Sequence, residues 1–357
     1  MNPLSDAPDA VTIKARALAL GLDACGITSA DPARYAKFYR QWTGEGKAGE
    51  MQWLARDPER RSDPGKVLPG AKSIIVVGLN YWQPQPEGRG RIARYALGED
   101  YHQVLLEKLE RLAKEISSNG EQAKIYVDTG PVLEKPLAER AGVGWQGKST
   151  MLISKKLGPW LLLGEIITTL ELEPDAPQSD HCGSCTRCIT ACPTGAITAP
   201  YQMDARRCIA YLTIELKGSI PEEMRPLIGD RVYGCDECLD VCPWNRFAQT
   251  TREVRFLGIP ASLSHNEGRD RLRALLEISA SEFKRQFAKS PILRVKRRGL
   301  LRNVCVVLGN IGTVDDLAAL EKAARHEEPL VREHAVWAIE QIKARSSAAV
   351  EPNALLL

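Results

Sequence analysis

The sequence predicts a multidomain α+β protein, with an N-terminal α/β domain, a cysteine-rich middle and an all-α C-terminal domain. Three observations carry this. Helix and strand signals mix over the first half, eight cysteines crowd between Cys182 and Cys242, and from about Ser281 the periodicity is wholly helical. At 357 residues the chain exceeds one ordinary core. Hydrophobic residues at 44% and charged residues at 26% describe a globular protein. A net charge of +3 marks no nucleic-acid binder unless the basic residues cluster.

Ala10 to Leu20 reads as a helix closed by Gly21. Ser73 to Leu79 and Lys124 to Val127 are apolar, β-branched runs expected as strands, and Leu161 to Thr169 is a third. Val104, Leu105, Leu109, Leu112 and Ile116 mark the apolar face of a helix between the first two. The Pro-rich stretch Glu173 to Asp180 is a connector. Leu300 to Leu308, Asp315 to Ala324 and Leu330 to Ile342 are amphipathic helices, and their short turns resemble HEAT-type repeats. The expected divisions are 1–175, 176–250 and 251–345, with 346–357 as a loose tail.

The opening residues MNPLSDAPDA lack a basic start and an apolar run, so no secretory signal is expected. The longest apolar stretches fall far short of the roughly 20 residues that span a bilayer. A cytoplasmic protein is therefore expected, where ten cysteines argue for metal over disulfides.

Cys182, Cys185, Cys188 and Cys192-Pro193 have the bacterial ferredoxin spacing, and Cys208, Cys235, Cys238 and Cys242-Pro243 form a second set. In that pattern the cysteine before proline serves the neighbouring cluster. One 4Fe–4S cluster then takes Cys182, Cys185, Cys188 and Cys242. The other takes Cys192, Cys235 and Cys238, with Cys208 completing the count. Zinc sites favour separated Cys-x2-Cys pairs, a poorer match. Cys25 and Cys305 sit in apolar surroundings and are expected as small core residues. Two adjacent clusters make an electron wire, which suggests that electrons are used within this chain.

Gly142 to Ser149 satisfies the expression for a phosphate-binding P-loop. That mechanism needs a strand before the loop and a helix after it. Here a helix-like segment precedes the loop and no crossover helix follows, so nucleotide binding is rejected.

Beside the double cysteine motif stand Tyr126-Val-Asp128-Thr-Gly130-Pro-Val-Leu-Glu-Lys135, Gly142-Val-Gly-Trp-Gln-Gly-Lys148, Ile92-Ala-Arg-Tyr-Ala and Asp100-Tyr-His102. In this combination, and with the basic stretch Lys296 to Asn303, the sequence resembles the epoxyqueuosine reductases from about residue 10 to 342. The resemblance implies an N-terminal cobalamin-binding domain, a ferredoxin-like domain with two 4Fe–4S clusters and a HEAT-like domain. It also implies reduction of epoxyqueuosine to queuosine at the tRNA wobble position, the last step of queuosine biosynthesis. The family's Gly-Lys-Asn-Thr reads Gly147-Lys148-Ser149-Thr150 here, and Asp100-Tyr-His102-Gln-Val-Leu105 lacks the glycine of the histidine-on cobalamin signature. A histidine–cobalt bond is therefore not expected.

Removing an epoxide oxygen as water takes two electrons and two protons, so a proton donor and a carrier between clusters and substrate are needed. Asp128 ends a strand before Thr-Gly-Pro, where burial would raise its pKa and keep it protonated. An aspartate bonding its own turn is the ordinary alternative. The resemblance makes Asp128 the proton donor. Tyr101, His102, Lys148, Ser149, Tyr211, Cys235 and Asp236 are expected with Asp128 around the cobalamin. Lys284 to Arg302 holds eight basic residues and no acidic one. Lys284, Arg285, Arg294, Lys296, Arg297 and Arg298 are expected to track tRNA phosphates. A monomer fed by a low-potential electron donor of unknown identity is expected. A ferredoxin-type carrier with an interaction domain and a cobalamin-dependent reductive dehalogenase are the rival readings. The absence of a twin-arginine signal and the basic helical stretch speak against the dehalogenase.

Overall fold

The protein is seen here as a computed structural model that describes residues 8–86, 88, 90–117, 120–258 and 268–350. Helix α1 (Ala10–Ala19) starts where the Asp9 carboxylate accepts the Thr12 N–H at 2.8 Å, and Gly21 follows it at φ +81°. Strands β1 (Ala24–Ser29) and β2 (Ser73–Asn80), helix α2 (Tyr101–Ser117), strand β3 (Ala123–Tyr126), helix α3 (Glu134–Arg140) and strand β4 (Leu161–Thr168) complete the N-terminal layer.

The four strands form one sheet in the order β1-β2-β4-β3, and every pair is antiparallel. This corrects the α/β expectation, because the sheet contains none of the parallel pairing of that class. The physical reason lies in β2, all eight residues of which are buried. Ile75, Val77 and Leu79 pack with Ile13 of α1 and Leu105 and Leu109 of α2. Ile74 and Val76 pack with Leu137 and Ala138 of α3 on the other face. A strand covered on both faces reads as an unbroken apolar run whatever its direction.

Trp145–Gln146 pairs antiparallel with Leu152–Ile153, so the Gly142 to Ser149 loop lies in a small hairpin. It has no strand-to-helix context, in accord with the rejection of nucleotide binding. The cysteine-rich stretch carries two short helices, α4 (Arg187–Ala191) and α5 (Glu237–Asp240), which pack together.

Helices α6 (Gly268–Glu277), α7 (Ala280–Gln286), α8 (Lys296–Ile311), α9 (Leu317–Ala323) and α10 (Pro329–Val350) follow, with α8 and α9 both packed on α10. Helix therefore starts before Ser281, and it continues through Ser346 to Val350 in place of the expected tail. Residues 351–357 lie outside the described residues, as do 259–267. The helical core also takes in Ile209, Leu212, Ile220, Ile228 and Val232, so it crosses the expected boundary at 250. Arg302 fastens this junction. It is fully buried and donates to the carbonyls of Leu212, Leu216 and Gly218 at 2.8, 2.8 and 2.7 Å. Among the described residues no helix is long and apolar enough to cross a membrane.

Candidate active site and thiol groups

Asp128 lies two residues beyond β3 with φ +56°, a left-handed conformation that a side chain adopts only when its surroundings hold it. Glu134, the first residue of α3, accepts the Asp128 N–H at 2.5 Å. The Asp128 carboxylate then faces the start of α2. Tyr101 donates its hydroxyl to Oδ2 at 3.0 Å, and His102 Nε2 lies 3.5 Å from the same oxygen. The other ring nitrogen of His102 is 2.6 Å from Asp100, and the Tyr101 ring stacks on the imidazole at 4.1 Å.

This geometry decides where the proton sits. Burial works against a charged His102, yet hydrogen bonds and charge from Asp100 and Asp128 push its pKa up to about 9. Burial likewise favours a neutral Asp128, but His102 and Tyr101 hold its carboxyl below the usual carboxylate range. The expectation that burial keeps Asp128 protonated is thereby corrected. Its side chain is 58% exposed, and a cation stands beside it. At neutral pH the proton belongs to His102 and the negative charge to Asp128.

Behind this pair stand two carboxyls that the sequence reading did not single out. Burial and the Asp128 charge push Glu134 up to about 7. Glu165, in the middle of β4, has no exposed surface, and neither of its oxygens meets a hydrogen-bond donor. Burial and the neighbouring Glu134 push it well above the ordinary range, which favours its neutral form beside Glu134. The signal was legible: Leu161-Leu-Leu-Gly-Glu-Ile-Ile places one carboxyl in an apolar strand.

Asp128 borders a cavity of about 990 Å³, at the top of the range for small-molecule sites. Met51, Trp53, Leu54 and Pro131 supply apolar walls, while Arg56, Arg60, Arg61, Lys217 and Arg294 supply cations. Arg294 is held by Glu215 at 2.5 and 3.0 Å and lies over the Trp53 ring at 5.4 Å. Arg56 and Arg60, absent from the sequence reading, are exposed and in no ion pair among the described residues. The wall chemistry suits a flat macrocycle with a phosphate, which is what cobalamin presents, and also a nucleotide chain.

The remaining expected residues divide. Lys148 and Ser149 stand at a second cavity with Cys182, Cys185, Cys188 and Cys242, and Lys148 donates to the carbonyls of Gly183 and Cys185 at 2.6 and 3.1 Å. Tyr211 is buried, and its hydroxyl accepts the Glu50 N–H at 2.9 Å. Cys235 and Asp236 border a third, smaller cavity. Burial pushes Asp236 up to about 6, and it accepts the Arg94 N–H at 2.8 Å. Of the expected cofactor contacts, Asp128 alone lines the large cavity, with Tyr101 and His102 behind it.

The eight thiols fall into two groups. Cys242 feels the charge of Cys182, Cys188 and Cys185, its neighbours in an outer group that shares one cavity of about 230 Å³. Cys238 feels Cys208, Cys235 and Cys192, an inner group whose Cys208 and Cys235 pack against the helical core. Among the described residues no three His, Cys, Asp or Glu converge on a single ion. Two groups of four thiols are the donor set that two 4Fe–4S clusters need. Half-buried Lys135 bridges site and wire. It donates to the Thr150 carbonyl at 3.0 Å, and both Glu134 and the thiols Cys238 and Cys208 act on its charge.

In the basic run, Lys284, Arg285, Lys296 and Arg298 are exposed. Arg297 is half-buried and donates to the Ile278 carbonyl at 2.6 Å, so part of its role is structural.

Comparisons with known proteins complete the description. Residues 181–245 match a family model described as "4Fe-4S double cluster binding domain". Residues 61–129 match one described as "Epoxyqueuosine reductase QueG, DUF1730". The chain is 43% identical over 344 residues to the epoxyqueuosine reductase of Xanthomonas campestris, covering 93% of this chain and 96% of that one. The Escherichia coli K12 enzyme of the same name is 39% identical over 350 residues, covering 95% and 91%. A crystal structure of epoxyqueuosine reductase with an epoxyqueuosine-modified tRNA-Tyr stem loop superposes with a TM-score of 0.86 at 34% identity, covering 94% of this chain and 91% of that one. A Bacillus subtilis structure, described with an aspartate-bearing catalytic loop swung out of the active site, superposes at 0.81 with 31% identity and covers 96% and 94%.

Proposed function

The chain belongs to the epoxyqueuosine reductase family and is an oxidoreductase, and on that premise we propose a division of labour among its residues. The substrate is a tRNA anticodon whose wobble epoxyqueuosine enters the 990 Å³ cavity at Asp128. The reading is supported by one observation above others. A carboxylate held in a strained turn and flanked by a protonated His102 borders a cation-rich cavity, with two groups of four thiols beyond it.

The balance is epoxide plus two electrons and two protons giving alkene and water. Cys182, Cys185, Cys188 and Cys242 would hold one 4Fe–4S cluster, and Cys192, Cys208, Cys235 and Cys238 the other. Cobalamin would occupy the cavity between Trp53 and Asp128 and supply carbon- or oxygen-directed two-electron chemistry from single electrons. His102 has both nitrogens turned to carboxylates and is left as a proton store. Filling the cavity strips water from Asp128 and favours its neutral form, so the proton 3.5 Å away on His102 passes to Asp128 and on to the leaving oxygen. Arg56, Arg60, Arg294, Lys296 and Arg298 would pair with anticodon phosphates around the mouth. The setting is the cytoplasm, and the working form is a monomer.

The test is anaerobic purification, loading with cobalamin, chemical reduction and incubation with epoxyqueuosine-containing tRNA, followed by nucleoside mass spectrometry. Formation of queuosine only with cobalamin present is expected, and its formation at full rate without cobalamin would remove that cofactor.

A further inference from the structure

The two thiol groups are not equivalent, and their surroundings give the wire a direction. The inner group lies against the cores: Cys208 and Cys235 pack against the helical core, Cys238 against the core under the sheet, and Lys135 lies between it and the Asp128 side, while Cys235 also borders the third cavity and Cys238 the cavity of the outer group. The outer group packs against neither core. It borders a cavity that reaches the surface beside exposed His181 and Arg246. With four thiols at that cavity against one of the inner group, the outer group is the better entry for electrons.

The surface there is cationic and partly aromatic. Arg187 opens α4, next to Cys188. Lys155 and Lys156 form the tip of the turn closed by the Ser154–Gly158 bridge, and Gly158 lies against the backbone of Trp244 at the cavity wall. Arg246 lies over the rings of Trp244 and Phe247 at 5.7 and 4.7 Å, and Phe247 is 36% exposed. All four cations are exposed, and none has an ion-pair partner among the described residues. The nearby carboxylates are engaged elsewhere. Asp180 takes the Tyr201 hydroxyl and the Cys182 N–H, and Asp240 pairs with Arg94 at 2.8 Å. The tRNA side of the molecule, at Asp128 and Arg294, is built from other segments.

We propose that Lys155, Lys156, Arg187 and Arg246, around the Trp244–Phe247 patch, are the docking surface for a small acidic, low-potential, single-electron carrier protein. The carrier is oxidised by one electron and the outer cluster reduced by one, with no bond made or broken, and two such encounters supply one turnover. Complementary charge would steer the encounter, and the aromatic patch would bring the carrier's redox centre to the thiols. The proposal rests on the two-cluster reading.

The experiment uses the full-length holoprotein, oxidised and anaerobic, with photoreduced flavodoxin as the acidic probe and dithionite as a small reductant. Bleaching of the cluster absorbance is followed by stopped flow in the parent, in Lys155→Glu/Lys156→Glu, and in that variant with Arg246→Glu added. Flavodoxin should bleach the parent more slowly as salt rises. Charge reversal should slow it by about tenfold or more at low salt and flatten the salt dependence. Dithionite rates and tRNA affinity should not change. Equal flavodoxin rates and equal salt dependence in parent and variants would overturn the docking surface alone. A fall in tRNA affinity with an unchanged flavodoxin rate would overturn it too, and assign the face to RNA. A parent that dithionite fails to bleach would overturn the cluster reading, and the proposal with it. Should a variant lose its clusters, the salt dependence of the parent decides: a flat profile refutes the proposal.

Discussion

Asp128→Asn tests the proton inventory most directly. Asparagine keeps the shape and leaves the backbone N–H that binds Glu134, so the turn at φ +56° should persist. It removes the negative charge beside His102 and cannot transmit a proton. The rise of His102 from 6.5 to about 9 amounts to about 3 kcal/mol in favour of imidazolium. Two carboxylates share it, Asp100 at 2.6 Å and Asp128 at 3.5 Å. Neutralising the more distant one should remove less than half, lowering the His102 midpoint by about one pH unit. The chemical step should lose about 10²- to 10⁴-fold, the usual worth of general acid catalysis. The assay is single-turnover reduction of epoxyqueuosine tRNA by the loaded, prereduced protein, paired with NMR titration of ring-labelled histidine, of which the chain has five. In the parent the rate should fall as pH rises through about 9, where His102 gives up its proton. A variant rate within a few-fold of the parent would remove Asp128 from the mechanism. An unshifted His102 midpoint would break the charge coupling on which the reasoning rests.

Other perturbations separate the remaining parts. Cys192→Ala should damage the cluster of Cys208, Cys235 and Cys238 while sparing the one beside Cys182, as read by EPR of each reduced cluster; loss of the Cys182 cluster instead would reverse the assignment. Lys296→Glu with Arg298→Glu should weaken tRNA binding and flatten its slope against log salt by about two contacts' worth, measured by filter binding, with cluster absorbance unchanged. Glu165→Gln should alter the pH dependence of stability. The raised pKa of Glu165 gives stability that is complete below about 4.5 and is lost as pH rises, so the parent's Tm should fall more steeply above pH 4.5 than the variant's, whose remaining slope comes from Glu134 and His102. Parallel Tm profiles would show that Glu165 is not a buried neutral acid.

Legibility followed the range over which a feature is encoded. The thiol spacing, the helix at Tyr101 and the strand before Asp128 are local patterns, and each appears where the sequence puts it. Sheet direction was not local. The apolar run Ser73 to Leu79 is the same for a parallel strand and for an antiparallel one covered on both faces, and only the partners of β2 decide. The ionisation of Asp128 was misjudged for a similar reason. A strand end says nothing of His102, which comes from 26 positions earlier and reverses the sign that burial alone would give. The basic run misled in another way. Composition cannot separate Arg302, engaged by three backbone carbonyls and the Asn303 side chain, from exposed Arg298, because both lie within one helix and differ only in the face they occupy. Arg56 and Arg60 went unread because arginines at two neighbouring short helices have no pattern until a cavity lies before them.

The first turn of α3 joins the two halves of the chemistry. Glu134 grips the backbone of Asp128, while the next residue, half-buried Lys135, turns toward Thr150 and Met151 within the field of the inner thiols. A cluster held by Cys208 and Cys238 would, when reduced, make that field more negative and strengthen the hold on the Lys135 charge. Lys135 and Glu134 share one rigid helical turn, and Glu134 is poised near neutral pH between the anionic Asp128 and the neutral Glu165. Arrival of negative charge on the thiol side favours protonation of the carboxyls on the other, because each added charge raises the cost of keeping Glu134 and Asp128 ionised. Electron delivery and proton readiness would then rise together at Asp128, on the wall of the cavity, as the removal of an oxygen as water requires.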